Sequence, residues 1–203
     1  MELQGVPLLD ICKAIFYNET IFMIDIGNKL KLLREKAQLS LRELGEKTGL
    51  SASFLSQLEL GQVSPSLASI ESIAIALNVN MAYFFDDQTK PDTVVMRKDD
   101  RRRIFSQGSK ATIQPLAYEI SKKRIEPFML TVEVGGESGE HPYSSRHEEE
   151  FGIVLQGRVR FTLEEKKDVL ESGDSVYFNS TKPHRWENIG RKKAIIILVI
   201  PGL

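Results

Sequence analysis

Between Ser40 and Gly61 the chain reads SLRELGEKTGLSASFLSQLELG, where Ala52, Ser53, Ser56 and Gln57 share one helical face and Leu55 and Leu58 the other. Small hydroxyl and amide side chains on an exposed helix suit the donor and acceptor pattern of base edges. A Gln can bond adenine through both ends of its amide. Ser51 stands just before this helix, and Arg42 and Lys47 in the preceding one have the charge to hold phosphate. The chemistry these residues could do is read-out of duplex DNA. The plainer alternative is a helical hairpin that packs on something else.

The neighbouring residues supply the elements that would position this face. Ser40-Leu41-Arg42-Glu43 fits a capping box, in which hydroxyl and carboxylate each satisfy an orphan N–H. Leu41, Leu44 and Thr48 fall on one side of the first short helix, and Gly49 can take the left-handed conformation that ends it. Leu50 then plugs the angle and Ser51 caps the second helix. Upstream, Ile26, Leu30, Leu33 and Ala37 form an apolar stripe at helical spacing. Downstream, Ser64-Pro65 reads as an N-cap followed by Pro at the first helical position. Leu67, Ile70, Ile73, Ala74 and Leu77 continue one face, and Met81 to Phe85 form a closing turn. The expectation is an all-α five-helix bundle of about sixty residues, near the lower limit for an independent core.

Over roughly Ile26 to Asp86 this pattern resembles the phage Cro/repressor-like (XRE-type) helix-turn-helix family. The resemblance implies DNA contacts from Arg42, Lys47, Ser51, Ala52, Ser53, Ser56 and Gln57. It also implies that Arg34 of the first helix pairs with Glu59 at the inner end of the recognition helix, where a lone charge would be costly. Leu41 and Leu60 depart from the family, which often carries polar or basic residues there. Charge adds no independent support: from Ile24 to Asp86 there are six basic and seven acidic residues, whereas strong nonspecific DNA binders are usually basic. Affinity would then rest on dimerisation and base contacts.

The whole chain, 203 residues with net charge −1, has room for two small domains. The single cysteine, Cys12, excludes an intramolecular disulfide and suits a reducing cytoplasm. Residues 1–23 are expected to be an N-terminal extension, either disordered or an over-called start. They lack a basic signal-peptide start and are interrupted by Asp10, Lys13 and Glu19, so no membrane partner is expected. The helix-turn-helix domain is assigned to 24–86, a polar linker containing Pro91 to 87–96, and a second domain to 97–203. The charge-dense run Arg97 to Arg103 reads as solvated surface, with contact to DNA phosphate or a partner subunit as its alternative.

After Pro91 the pattern becomes strand-like: VVM, RRIF, FMLTVEV, EFGIVLQGRVRFTL, SGDSVYF and AIIILVI are separated by Gly, Pro, Ser or Asn. An all-β barrel or jelly roll is expected. Six residues separate Glu150 from Gly157, ten separate Gly173 from His184, and three separate His184 from Asn188. These spacings resemble the two motifs of the cupin family, over about Thr93 to Leu203. Many cupins hold a divalent metal through histidines and a glutamate. Mapping that pattern onto this chain puts Ser144 and Arg146 at the first two histidine positions, with His147 one residue late. Glu150 and His184 remain as inward candidates, and His147 or His141 would join them only if the loop bulged. The preferred expectation is a metal-free pocket without cofactor. In it Arg146, Glu150, His184 and Trp186 bind a small polar effector, with Trp186 as wall or core.

An XRE-type head joined to one cupin barrel resembles a known class of small-molecule-responsive bacterial transcription regulators. The resemblance implies a cytoplasmic homodimer, two-fold through cupin–cupin contact, that reads a pseudo-palindromic operator. Two alternatives stand beside it. One is a mononuclear non-haem iron oxidising enzyme, whose first histidine would here be Arg146. The other is a DNA-binding scaffold without ligand. No nucleophile–histidine–acid set, Walker loop or dinucleotide fingerprint is present in the sequence, so no catalytic residues are assigned.

Overall fold

The computed structural model describes residues 25–86, 94–146 and 148–202. The extension expected at 1–23, most of the linker expected at 87–96, and His147 lie outside the described residues.

The helical half is built as its caps dictate. Helix α1 spans 25–36. Helix α2 (Leu41–Thr48) starts with the Ser40/Glu43 capping box and stops at Gly49, whose φ of 73° is left-handed. Helix α3 (Ala52–Glu59) is capped by the Ser51 hydroxyl, which accepts from Phe54 N–H. Helix α4 (Leu67–Leu77) ends at Asn78 in a left-handed conformation. Ile26, Leu30, Leu44, Leu55, Leu58, Ile70, Ile73 and Phe84 are almost fully buried and form one core. Gly27 lets α1 lie against the end of α3: a Cβ there would come within 2.5 Å of the Glu59 carbonyl oxygen.

Three expectations need correction here. Four α-helices form among the described residues, not five, because Met81–Phe85 closes as a 3-10 turn. Asn80 caps its Ala82 N–H and five residues are too few to sustain an α-helix. Helix α4 begins at Leu67 with Ser66 as N-cap, so Ser64-Pro65 lies outside it and Pro65 is instead buried in the turn. Ala37 is exposed beyond the end of α1, and Leu39 takes its place against the core.

The second half is a sandwich of two antiparallel sheets. Its strands are β1 (Ile104–Ser106), β2 (Ala111–Pro115), β3 (Ile125–Val132), β4 (Glu150–Gln156), β5 (Arg158–Leu163), β6 (Lys166–Glu171), β7 (Ser175–Phe178), β8 (His184–Asn188) and β9 (Ala194–Pro201). The order is β1-β2-β3-β9-β4-β7 in one sheet and β6-β5-β8 in the other. Strict alternation of buried and part-exposed residues in β3, β8 and β9 turns Phe128, Leu130, Trp186, Ile196 and Leu198 inward. The run Val94-Val95-Met96 forms no strand, and Val94 is fully exposed. Strands β2 and β6 carry too few β-branched or aromatic residues to stand out by composition. They form because β3 and β5 offer them open edges.

The two halves pack against each other. Arg102 reaches Asp25 of α1 at 3.2 Å, Ser121 bonds Asp86, and Asn80 donates to Glu126 at 2.5 Å. Ala68 N–H in α4 donates to the Ser138 carbonyl at 3.3 Å. Gly139 lies so close to Ala68 that any side chain there would collide with it.

Candidate DNA-reading face and barrel site

On α3, Ala52, Ser53 and Gln57 are exposed and Ser56 is half-buried, with Ser51 exposed at the cap. Leu55 and Leu58 anchor the opposite side. Lys47 is exposed at the end of α2, and Arg42 extends from the same helix and pairs with Glu46 at 3.2 Å. Arg42 and Lys47 thus stand at opposite ends of α2, and Ser51, Ala52, Ser53, Ser56 and Gln57 run along α3 from its cap to its last turn. What fixes α3 is the Arg34–Glu59 pair: Nε and Nη2 donate to the two carboxylate oxygens at 2.6 and 3.0 Å. Arg34 Nη1 also donates to the Leu39 carbonyl at 2.8 Å, so one guanidinium ties the end of α1 to the end of α3. The Glu59 carboxylate holds the Arg34 pKa above its ordinary value, mainly through that hydrogen bond.

In the barrel, Glu150 opens β4 and His184 opens β8, and both are buried. His184 Nε2 lies 3.8 Å from Glu150 Oε2, too far for a hydrogen bond. The other ring nitrogen, Nδ1, is 3.0 Å from the Lys182 carbonyl, which fixes the proton on Nδ1. Tyr143 and Phe178 pack on the imidazole with ring centroids 4.4 and 4.9 Å away.

One of the expected effector residues sits elsewhere. The Arg146 guanidinium does not join Glu150 and His184; it donates to Asn78 Oδ1 at 2.8 Å and to the Ile75 carbonyl, at the C-terminal end of α4. Unsatisfied carbonyls and the negative end of the helix dipole draw a cation there. Trp186 shares the inward face with His184 and is fully buried core, its ring tilted against Phe161 with centroids 4.6 Å apart and lying over Gly152.

His141 is exposed, Arg146 is turned away, and among the described residues no three His, Cys, Asp or Glu side chains gather as a ligand set. His147, the other candidate ligand, lies outside the described residues.

Glu71 was not expected at this site. It is the single charged residue in α4, four positions after Leu67 and so on the same apolar face. That placement was the available signal. It is buried, accepts from the Ser145 hydroxyl and the Arg146 N–H, and its charge reaches Glu150.

Burial pushes the Glu150 pKa up to about 8, with the Glu71 charge adding to it, and burial also raises Glu126 to about 7. Burial lowers His184 to about 4. For Glu150 the folded state holds a proton that the unfolded chain releases near 4.5. Its contribution is full below that pH and is lost as pH rises through about 8. His184 acts in the opposite direction, weakening the fold as pH falls from 6.5 towards 4. Glu150→Gln should therefore melt above the wild type at pH 8 and level with it at pH 5, read by thermal scans across that range. Parallel wild-type and variant curves would show that Glu150 does not titrate in the fold.

A helix-turn-helix family description matches residues 30–84, and a cupin domain description matches 128–201. The chain is similar to the HTH-type transcriptional regulator PuuR of Escherichia coli (strain K12), at 28% identity over 80% of this chain and 86% of that protein. It is also similar to the HTH-type transcriptional regulator SutR of the same organism, at 24% identity over 82% and 89%. In fold it matches the crystal structure of an HTH_3 family transcriptional regulator from Vibrio cholerae, with a TM-score of 0.68, 24% identity, and 91% and 99% of the two chains covered. The helix pair and the two-sheet barrel thus fall within these two matches: the chain carries an XRE-type helix-turn-helix domain followed by a C-terminal cupin domain.

Proposed function

We propose that this chain is a homodimeric, sequence-specific DNA-binding transcriptional regulator whose cupin domain senses a small polar effector and acts by binding rather than catalysis. The observation that carries the reading is the rigidly held outward face of α3. Ala52, Ser53 and Gln57 are exposed on a helix locked to α1 by a bidentate ion pair. Both similar Escherichia coli proteins are named as transcriptional regulators. The outward side of the six-stranded sheet supports dimerisation through the cupin halves. Met129, Ile153 and Ile197 align across β3, β9 and β4 there, half-exposed, as do Phe151 and Val199. Two heads related by that two-fold would meet two half-sites of a pseudo-palindrome. The effector reading rests on Glu150 and His184, polar groups buried in the barrel beside the α4 contact. A coupling of about 1–3 kcal/mol between the two sites would give roughly 5–150-fold regulation.

The test is selection of an operator from random duplexes, followed by salt-dependent binding of two variants. Gln57→Ala should cost about 1–3 kcal/mol and relax preference at one base position. Arg42→Ala should weaken all sequences alike and flatten the salt dependence. Unchanged affinity and preference in Gln57→Ala would show that α3 does not enter the groove as assigned.

A further inference from the structure

We infer that the segment 138–146, between β3 and β4, is a strap that fixes the DNA-reading head on the barrel and thereby sets the half-site spacing the dimer accepts, with Arg146 as a positioning residue. The inference rests on the dimeric regulator reading above and adds what determines the spacing. Helix α4 has two working faces. Ile70, Ile73, Ala74 and Leu77 are buried in the core of the head. Ala68, Glu71, Ile75 and Asn78 follow one another at intervals of three, four and three residues, which is the spacing of a second stripe along the same helix. All four meet the strap. Ala68 N–H donates to the Ser138 carbonyl at 3.3 Å, and its side chain fits only because Gly139 has none: a Cβ there would come within 2.4 Å of Ala68 Cβ. Glu71 is buried and accepts from the Ser145 hydroxyl and the Arg146 N–H. Arg146 Nη1 donates to Asn78 Oδ1 at 2.8 Å, and Nη2 donates to the Ile75 carbonyl.

The strap is itself held by the barrel. Ser138 N–H donates to the Trp186 carbonyl at 2.9 Å, and Trp186 N–H donates to the Ser138 hydroxyl at 3.1 Å. Tyr143 and His184 exchange two backbone bonds at 3.0 and 2.8 Å, and Ser145 N–H donates to the Ser180 carbonyl at 2.7 Å. Both ends of the grip on α4 have a chemical reason. Ala68 N–H lies in the first helical turn, where no intrahelical acceptor exists. At the other end, the last carbonyls and the negative end of the helix dipole draw the guanidinium. Asn80 with Glu126, Ser121 with Asp86 and Arg102 with Asp25 join the halves through α1 and the segment after α4. The strap is what grips α4 itself, from Ala68 to Asn78, and a helix held along its length keeps its direction. Leu55 and Leu58 of α3 share one core with Ile70 and Ile73 of α4, so fixing α4 on the barrel also fixes α3. The two-fold between barrels then sets the separation of the two α3 helices.

The test measures binding of the full-length protein to duplexes with two operator half-sites at varied separation, and to a duplex with a single half-site. Wild type should prefer one separation at least tenfold over those three base pairs longer or shorter, a change that rotates one half-site by about 100° around the duplex. Gly139→Ala wedges α4 off the strap, and Arg146→Met removes the grip at its C-terminal end. Each should reduce the preference to threefold or less, while single-half-site affinity and cooperative melting stay as in wild type. Adding Ala68→Gly to Gly139→Ala removes the clash and should restore the preference, which a merely destabilised barrel would not do. Hydrogen exchange gives a readout without DNA: the Ala68 amide should exchange at least tenfold faster in Gly139→Ala. Wild-type spacing preference in both single variants overturns the inference, as does an Ala68 amide that exchanges at the wild-type rate in Gly139→Ala. A wild-type protein indifferent to spacing overturns it too and leaves sequence-specific binding standing. A chain that binds no half-site overturns the regulator reading and the spacing rule together, while faster Ala68 exchange in Gly139→Ala still supports the grip on α4.

Discussion

Glu59→Ala should destabilise the helical half by about 3–5 kcal/mol, because it strands Arg34 in a site built to neutralise it. The side chains of Arg34 and Glu59 are only 12% and 8% exposed, so water cannot replace the lost partner at little cost. The loss goes beyond one contact. Arg34 also holds the Leu39 carbonyl, and α1 touches α3 through Gly27, so the junction of three elements loosens together. Arg34→Met should cost a similar amount for the mirror reason. The double change Arg34→Met with Glu59→Met should cost less than the two singles summed, since no charge is then left buried. Urea unfolding followed by helical circular dichroism measures all three. Single variants within about 0.5 kcal/mol of wild type would reduce the pair to a surface contact. Operator binding should fall with stability in Glu59→Ala, because α3 would no longer be held at one angle.

Trp186→Ala is the second large effect, at about 3–5 kcal/mol on the barrel. The indole is fully buried against Phe161 and over Gly152, so its removal leaves a cavity the two sheets cannot readily close. Trp186→Phe should cost much less, since Nε1 has no hydrogen-bond partner to lose. Chemical unfolding monitored in the β-sheet signal separates this from a binding role. A Trp186→Ala barrel of wild-type stability that had lost only its ligand response would restore Trp186 as a recognition residue.

The features legible in the sequence are those that depend on neighbours a few residues away. Ser40, Glu43, Gly49 and Ser51 cap and terminate their helices through bonds spanning three or four positions, so their types and spacing suffice. The period of the apolar residues then decides which faces go inward, and with it the outward set from Ala52 to Gln57. Where the sequence offered more than one capping residue or too short a segment, the fold decided. Ser66 rather than Ser64 caps α4, and five residues after Asn80 make a 3-10 turn rather than a helix. The barrel's strands were legible where β-branched runs alternate, and hidden in β2 and β6, whose pairing partners define them.

Only the tertiary structure decided the barrel site. Arg146 sits beside Glu150 in sequence, yet its guanidinium turns 71 residues back to the Ile75 carbonyl. The end of α4 offers it fixed acceptors. Glu71 lies 79 positions before Glu150, and its charge acts on Glu150 because α4 packs against the barrel, with Ala68 against Ser138 and Gly139. A sequence specifies which groups want burial or partners. Which partner each finds over such separations is set by how two finished domains fit, and that depends on shape and unsatisfied groups at their surfaces that no short window of residues contains.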